Sequence, residues 1–111
     1  MTAIQFNLHV EAGATFERSL VYTNDDGSLF DLTDYSAELQ VREKVSSATA
    51  VIELEPEIDV ETATISWTFT AEQTSLLTAS SYVYAIELTR LDGYVIRLME
   101  GAVIPSPEVV R

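Results

Sequence analysis

Apolar and polar residues alternate along most of this chain, and the alternation is most regular between residues 34 and 42. One face of this segment is formed by Tyr35, Ala37, Leu39 and Val41, and the other by Ser36, Glu38, Gln40 and Arg42. A period of two is that of a β-strand with one buried face and one face in water. The segment therefore predicts a strand in a sheet that is solvated on one side.

The same period recurs in short runs along the rest of the sequence. Further strands are predicted at residues 6–10, 15–22, 50–54, 58–60, 65–69, 82–88, 94–99 and 102–104. Pro56 ends one of them because proline cannot donate to a ladder, and a bulge is predicted at Gly101. Asp92-Gly93, between two β-rich runs, is the strongest hairpin signal. Seven to nine short strands at this spacing predict an all-β antiparallel sandwich, immunoglobulin-like or related.

One segment departs from the strand period. Thr70 can cap the backbone N–H of Gln73, and the Gln73 side chain can reach back to the N–H of Thr70. Leu76 and Leu77 then supply an apolar face. This arrangement predicts one short helix near residues 71–78, placed between two strands.

The length and the C-terminal residues suggest one domain followed by a tail. With 111 residues the chain suits a single sandwich over residues 1–104, and residues 105–111 are predicted to be an extended tail. Pro105 and Pro107 stiffen this tail, and Val109 and Val110 would project from the domain. Two interpretations stay open, a frayed terminus or an arm that docks on a neighbouring subunit through these four residues.

Composition and charge exclude several classes of function. The chain has no cysteine, which excludes disulfides and thiolate metal sites. Its first residues do not resemble a signal peptide, and it has no apolar run long enough for a membrane-spanning helix, so a soluble protein made in the cytosol is expected. The net charge is −12, which repels phosphate backbones and anionic lipids. We expect neither nucleic acid nor membrane as a partner. Solubility, a basic partner and cation binding remain alternative reasons for the acidity.

Candidate chemistry is sparse. His9 is the only histidine and lies in mid-strand with no serine motif beside it, so a solvated histidine is expected and an enzyme is not. The acidic turn at residues 24–28 contains Asp25 and Asp26, and with Asp31 it is a weak candidate for a cation site. It lacks the spacing of a helix-loop-helix calcium loop, so turn chemistry is the favoured explanation. No cofactor is expected.

Four aromatic residues could in principle form a platform for a sugar ring. They are Trp67, Phe69, Tyr82 and Tyr84. Because they alternate along predicted strands, the sequence favours their packing in the core over their display at a binding site.

Several of these segments together resemble small structural proteins of tailed bacteriophages. The resemblance is carried by residues 31–35, the alternation at 37–42, residues 70–74, residues 82–88 and residues 97–105, and it extends over about residues 28–108. Within these proteins, the pattern resembles that of the N-terminal immunoglobulin-like domain of baseplate upper proteins. That pattern has Gly where Asp34 stands here and Asp where Ala85 stands.

The resemblance implies a non-enzymatic adaptor or assembly protein in the tail, baseplate or fibre region of a virion that assembles in the host cytoplasm. Its partners would be other virion proteins and copies of itself in a symmetric assembly. A capsid decoration or head-fibre protein is the alternative within this class. A different class also stays open, a β-sandwich module that binds carbohydrate or another surface.

Overall fold

The computed structural model describes residues 3–107, which fold into two β-sheets packed face to face. The nine strands and one helix of this part are β1 (Ile4–Gln5), β2 (Leu8–Glu11), β3 (Phe16–Val21), β4 (Tyr35–Arg42), β5 (Ile52–Leu54), β6 (Glu57–Asp59), β7 (Thr64–Phe69), α1 (Ala71–Thr74), β8 (Tyr82–Arg90) and β9 (Val95–Ser106). The predicted all-β sandwich with one short helix is confirmed.

The two sheets differ in size, and only the larger one contains parallel pairs of strands. The larger sheet has the order β1-β9-β8-β4-β5, with β2 also on β9, and the smaller has the order β3-β7-β6. Both β1 and β2 run parallel to β9, and the other pairings are antiparallel. Apart from the position of the first strand, this is the strand order of an immunoglobulin-like sandwich. The first strand lies on the sheet of the last strand, so β3 is the edge of the smaller sheet.

The core lies between the two sheets and follows the predicted alternation. Strand β4 starts one residue later than the predicted segment 34–42, and it buries Ala37, Leu39 and Val41 while Ser36 and Glu38 stay exposed. The largest fully buried side chains come from both sheets and from the loop before β4, and they include Leu8, Leu32, Leu39, Ile65, Phe69, Ile86 and Leu88. Both inner faces of the sandwich thus contribute to one hydrophobic core.

The first predicted strand, 6–10, proves to be one edge strand with an interruption. Ile4 pairs with Met99 and Leu8 with Val103, so β1 and β2 keep the same register on β9 although Phe6 and Asn7 lie outside the ladder. The Phe6 N–H still donates to Glu100 O (3.0 Å). The Asn7 side chain accepts from the Ala102 N–H (3.0 Å).

Gly101 explains this interruption. A β-carbon at Gly101 would collide with the Phe6 carbonyl, so only glycine permits the two backbones to approach so closely. From β8, the Tyr84 hydroxyl reaches over β9 and donates to the same Phe6 carbonyl (2.6 Å). The predicted bulge at Gly101 is wrong: the register shifts where Glu87 pairs with Arg97 and Ile86 with Met99. The extra residue is Leu98.

The last strand is longer than the sequence predicted. Instead of two strands, 94–99 and 102–104, β9 is continuous, and it extends to Ser106. Pro105 pairs with Val10 and Ser106 with Glu11 at the parallel edge. The first two residues of the predicted tail 105–111 therefore belong to the sheet, since a proline is tolerated at an edge.

The helix is capped as predicted but is shorter. The Gln73 N–H donates to Thr70 Oγ1 (3.1 Å), and the Thr70 N–H donates to Gln73 Oε1 (3.0 Å). The helix ends at Thr74, whereas the prediction was 71–78. Leu77 is buried but Leu76 is 53% exposed. Since only one turn forms, the chain can bury one of these two leucines and not both.

Candidate functional site: the open side of the sandwich

The predicted acidic turn uses its carboxylates for turn structure. Asp26 accepts hydrogen bonds from the Ser28 hydroxyl (2.5 Å) and the Ser28 N–H (2.9 Å). Both bonds lower the pKa of Asp26, and the bond from the hydroxyl has the larger effect. Asp31 has the same two bonds to Thr33 (2.6 and 3.0 Å) and a lowered pKa for the same reason. Between residues 3 and 107 no three acidic or histidine side chains are arranged to hold a metal ion. Asp25, Asp26 and Asp31 are not brought together as a ligand set.

The other predicted candidates divide between surface and core. His9 is exposed on β2. The four aromatic residues of the hypothetical sugar platform are buried: Trp67 (5% exposed), Phe69, Tyr82 and Tyr84. Burial raises the pKa of Tyr84 to about 12. These aromatics form core, as the alternation favoured.

The predicted assembly tail is only partly within the described residues. Pro105 lies in β9, and Pro107 lines a shallow hollow beside Ala12 and Leu77 at the end of the sandwich. Val109 and Val110 lie outside the described residues. The segment that could leave the domain therefore starts at Pro107, two residues later than predicted.

The open side of the sandwich, between β1/β2 and β3, is the most distinctive surface of the described residues. Strand β3 pairs with β7 on one side only. The Tyr22 N–H donates to Ala63 O (2.8 Å), and the alternation of an antiparallel ladder then directs the backbone groups of Glu17, Ser19 and Val21 away from β7. In the immunoglobulin-like order a strand A occupies this position beside β3. Here that strand lies on the other sheet.

An apolar groove of about 260 Å³ runs along this side between the two sheets. Its lining includes Ile4 (40% exposed), Phe6 (54% exposed), Leu20 and Trp67. The buried indole Nε1 of Trp67 has no hydrogen-bond partner among residues 3–107. A buried donor without an acceptor costs free energy, so the groove combines apolar surface with one unsatisfied polar group.

Arg18 is the charged residue of this groove. It has the same strand parity as the inward-facing Phe16 and Leu20, yet it is exposed. Its guanidinium lies 4.2 Å from the centroid of the Phe16 ring, and Nη1 donates to Glu17 O (2.7 Å). The side chain thus occupies a carbonyl that a pairing strand would need, which is one way in which natural edge strands avoid aggregation.

Sequence reasoning missed this site, although one signal was present. Phe16, Leu20 and Tyr22 share one face of the predicted strand 15–22, and Arg18 interrupts that face. An inward-pointing charge on a strand marks an edge. The contributions of Ile4 and Phe6 could not be foreseen, because they depend on the long-range pairing of β1 with β9.

The acidic side, between β5 and β6, is built differently. The chain crosses here from one sheet to the other through Glu55 and the buried Pro56. Acidic residues occupy every second position along this crossing: Glu53, Glu55, Glu57, Asp59 and Glu61. All five are exposed. A covalent connection and repeated like charges therefore protect these two short strands from pairing.

The outer face of the larger sheet has its own shallow hollow. Its floor consists of Val83, Ala85 and Gly101, and Arg42 and Arg97 lie at its rim. Both arginines already have partners, since Arg97 pairs with Glu87 (3.4 Å) and Arg42 Nη2 donates to Gln40 Oε1 (2.7 Å). This face has fewer unsatisfied groups than the open side.

Comparison with known proteins adds no identification. No protein-family profile matches the chain, and no curated protein is significantly similar to it. No helix among residues 3–107 is long and apolar enough to cross a membrane.

Proposed function

We propose that this protein is a non-enzymatic structural component of a tailed bacteriophage virion, an adaptor or assembly protein of the tail, baseplate or fibre region. The observation that carries this proposal is that most of the segments with the phage resemblance are neighbours in the larger sheet, where β8 lies between β4 and β9. The segment at residues 70–74 forms the capped helix α1 between β7 and β8.

The turn before β4 gives this proposal a further support. Asp34 has φ +65°, a left-handed conformation that favours glycine. The phage pattern has Gly at this position. Asp is among the residues that tolerate this conformation best, so the turn keeps its shape despite the substitution.

The surface is also suited to assembly. An open strand edge offers main-chain hydrogen bonds, and exposed apolar side chains offer contact area, both of which symmetric assemblies use. The open side supplies both within one groove. The burial of Trp67, Tyr82 and Tyr84 gives no support to a carbohydrate-binding module that would use those aromatics.

Purified phage particles would test the proposal. We expect mass spectrometry of virions to detect this chain at a fixed copy number, and antibody labelling in electron microscopy to place it at the tail or baseplate. Labelling of the head would favour the capsid decoration or head-fibre alternative. The absence of the chain from intact particles, with detection only in the lysate, would reject a virion component.

A further inference from the structure

We propose that the groove on the open side is the acceptor for residues 107–111 of a second copy of this chain, which add as a strand beside β3. This inference rests on the proposed function, because it names the contact through which copies would assemble. The donor segment is Pro107-Glu108-Val109-Val110-Arg111. The acceptor is the outer edge of β3 together with the groove beneath it.

The fold leaves the position beside β3 open. The backbone groups of Glu17, Ser19 and Val21 point away from β7, and no described strand lies beyond them. An extended segment can satisfy such groups by strand addition, with main-chain hydrogen bonds for affinity and alternate side chains for specificity. The groove below supplies the apolar surface for those alternate side chains.

The charge and the alternation of the donor side chains match those of the groove. In an extended segment Glu108 and Val110 lie on one face. A parallel register with this face inward places Glu108 beside Arg18 and Val110 beside Leu20. Glu108 then meets the cation of the groove, and Val110 meets its apolar part. An antiparallel register with Glu108 beside Arg18 would instead set Pro107 opposite Ser19 in a hydrogen-bonded pair, where proline has no N–H to donate to the Ser19 carbonyl.

The added strand would exchange one hydrogen bond for another at the Glu17 carbonyl. Arg18 Nη1 now donates to Glu17 O (2.7 Å). In the parallel register the N–H of Glu108 would donate to Glu17 O, while the Glu108 carboxylate would accept from the released guanidinium. Both groups of β3 keep a partner. Arg18 therefore excludes strands without an acid at this position and accepts one that has it.

Pro107 prevents a further strand from adding to the outer edge of the donor segment. When the backbone groups of Glu108 and Val110 face β3, those of Pro107 face away, where the missing N–H of proline costs no hydrogen bond. The new edge is then a poor template for a further strand. The contact ends after one donor segment.

The donor comes from a second copy because of the order of the strands. β9 ends at Ser106 beside Glu11 of β2, and β2 lies on the flank of β9 that faces the open side. To reach β3 of its own domain, residues 107–111 would have to turn back and cross over β2. A neighbouring copy faces no such obstacle.

Fluorescence of the single tryptophan tests the acceptor, since Trp67 lines the groove. The probe is a synthetic peptide of residues 105–111 added to the full-length chain. We expect a saturable change in Trp67 emission, and at least about fivefold weaker binding when the peptide carries Glu108→Arg. Protein with Arg18→Glu should reverse this preference. An emission change that is equal for both peptides, or no saturable change, would overturn the proposal.

Ser19→Pro is the second variant, in case Arg18→Glu fails to fold. It removes an outward N–H that the added strand needs, and it leaves the β3–β7 bonds intact. With far-ultraviolet circular dichroism unchanged, peptide binding should be lost. Retained binding would show that the peptide does not pair with β3 and would reject the proposed register.

Sedimentation of the full-length chain tests the second copy. We expect concentration-dependent association that Val110→Asp abolishes, with Val109→Asp as the matched control because Val109 faces away from the groove in the proposed register. A chain that binds the peptide but stays monomeric at every concentration would refute a second copy as the donor. Such a result leaves the virion proposal standing, because that proposal is tested independently by the composition of the particles.

Discussion

The two lateral sides of this sandwich solve the problem of exposed strand edges in opposite ways. On the acidic side the strands β5 and β6 have three residues each, the chain itself joins the two sheets, and acids recur at every second position. On the open side β3 has six residues, the chain joins the two sheets at one end through residues 12–15, and a single cation, Arg18, blocks the edge.

The edges on the acidic side are protected permanently, whereas the protection of the β3 edge can be removed by a suitable partner. Five acidic residues repel an acidic strand and would lose hydration beneath a neutral one, and no single partner group could neutralise them all. One arginine can be neutralised by one carboxylate. The open side is therefore the side on which a specific partner can compete, and its groove and its unpartnered Trp67 N–H make such competition favourable.

The largest expected effect comes from proline substitution on the two strands of one register pair. Ser19 on β3 and Ser66 on β7 are direct partners, but the N–H of Ser66 points into the sheet toward β6 and that of Ser19 points to the open edge. Ser66→Pro should lower the free energy of unfolding by about 3 kcal/mol or more, and Ser19→Pro by less than about 1 kcal/mol. Urea denaturation measures both. Equal losses would show that the edge of β3 is not open.

Gly101→Ala should have the next largest effect, because it attacks the strand that borders the groove. The new β-carbon would collide with the Phe6 carbonyl, and displacement of β1 and β2 from β9 should cost about 2 to 3 kcal/mol. Gly27→Ala is the control: Gly27 has φ +87° and no atom near the added carbon, so its cost should be about 1 kcal/mol. A cost at Gly101 no greater than that at Gly27 would contradict the close approach.

Some parts of the fold could be predicted from short stretches of the sequence. Local signals sufficed for the bounds of β4 to within one residue, for the Thr70–Gln73 capping box and for the hairpin at Gly93 (φ +93°). Each depends on residues that are close together in the chain. Alternation and capping chemistry determine such features directly.

Features that depend on distant pairing could not be predicted. The parallel docking of β1 and β2 on β9 joins residues about a hundred positions apart, and that docking makes Gly101 a contact point where the sequence suggested a bulge. It also brings Ile4 and Phe6 over Trp67 and so creates the groove. The site was missed for the same reason, since only Arg18 carried a local sign of it.

Tyr84→Phe should have a moderate effect on the open side. The substitution leaves the Phe6 carbonyl without the hydroxyl that donates to it at 2.6 Å, and we expect a loss of about 1 to 2 kcal/mol near neutral pH. Tyr82→Phe is the matched control on the same strand face, since the Tyr82 hydroxyl accepts its hydrogen bond from the Ala79 N–H (2.8 Å), in the loop before β8. Only Tyr84→Phe should raise amide exchange in β1 and β2.

The decrease in the free energy of unfolding at alkaline pH supplies a second measurement on Tyr84. Burial raises the pKa of Tyr84 from 10.0 to about 12 in the folded state. The unfolded chain therefore loses this proton first, so the contribution to stability is complete below pH 10 and is lost as the pH rises toward about 12. Tyr84→Phe should make the decline over this range shallower. A decline with unchanged slope would show that Tyr84 is not buried as described.

The smallest effects should come from single charges, and they should have opposite signs on the two sides. Glu57→Gln removes one acid from the alternating series and should stabilise the fold by about 0.3 kcal/mol in low salt. Arg18→Gln removes the contact with the Phe16 ring and should destabilise it by about 0.5 to 1 kcal/mol.

Salt separates these two causes. In 1 M NaCl the screening length falls to about 3 Å, so the gain from Glu57→Gln should vanish, because it comes from repulsion between exposed acids. The loss from Arg18→Gln should persist in part, because stacking on Phe16 does not depend on distant charge. Thermal unfolding of the two variants at low and high salt measures both the gain from Glu57→Gln and the loss from Arg18→Gln. If the two substitutions changed stability with the same sign and the same salt dependence, the two sides would be protected by one mechanism, namely the overall charge of the chain.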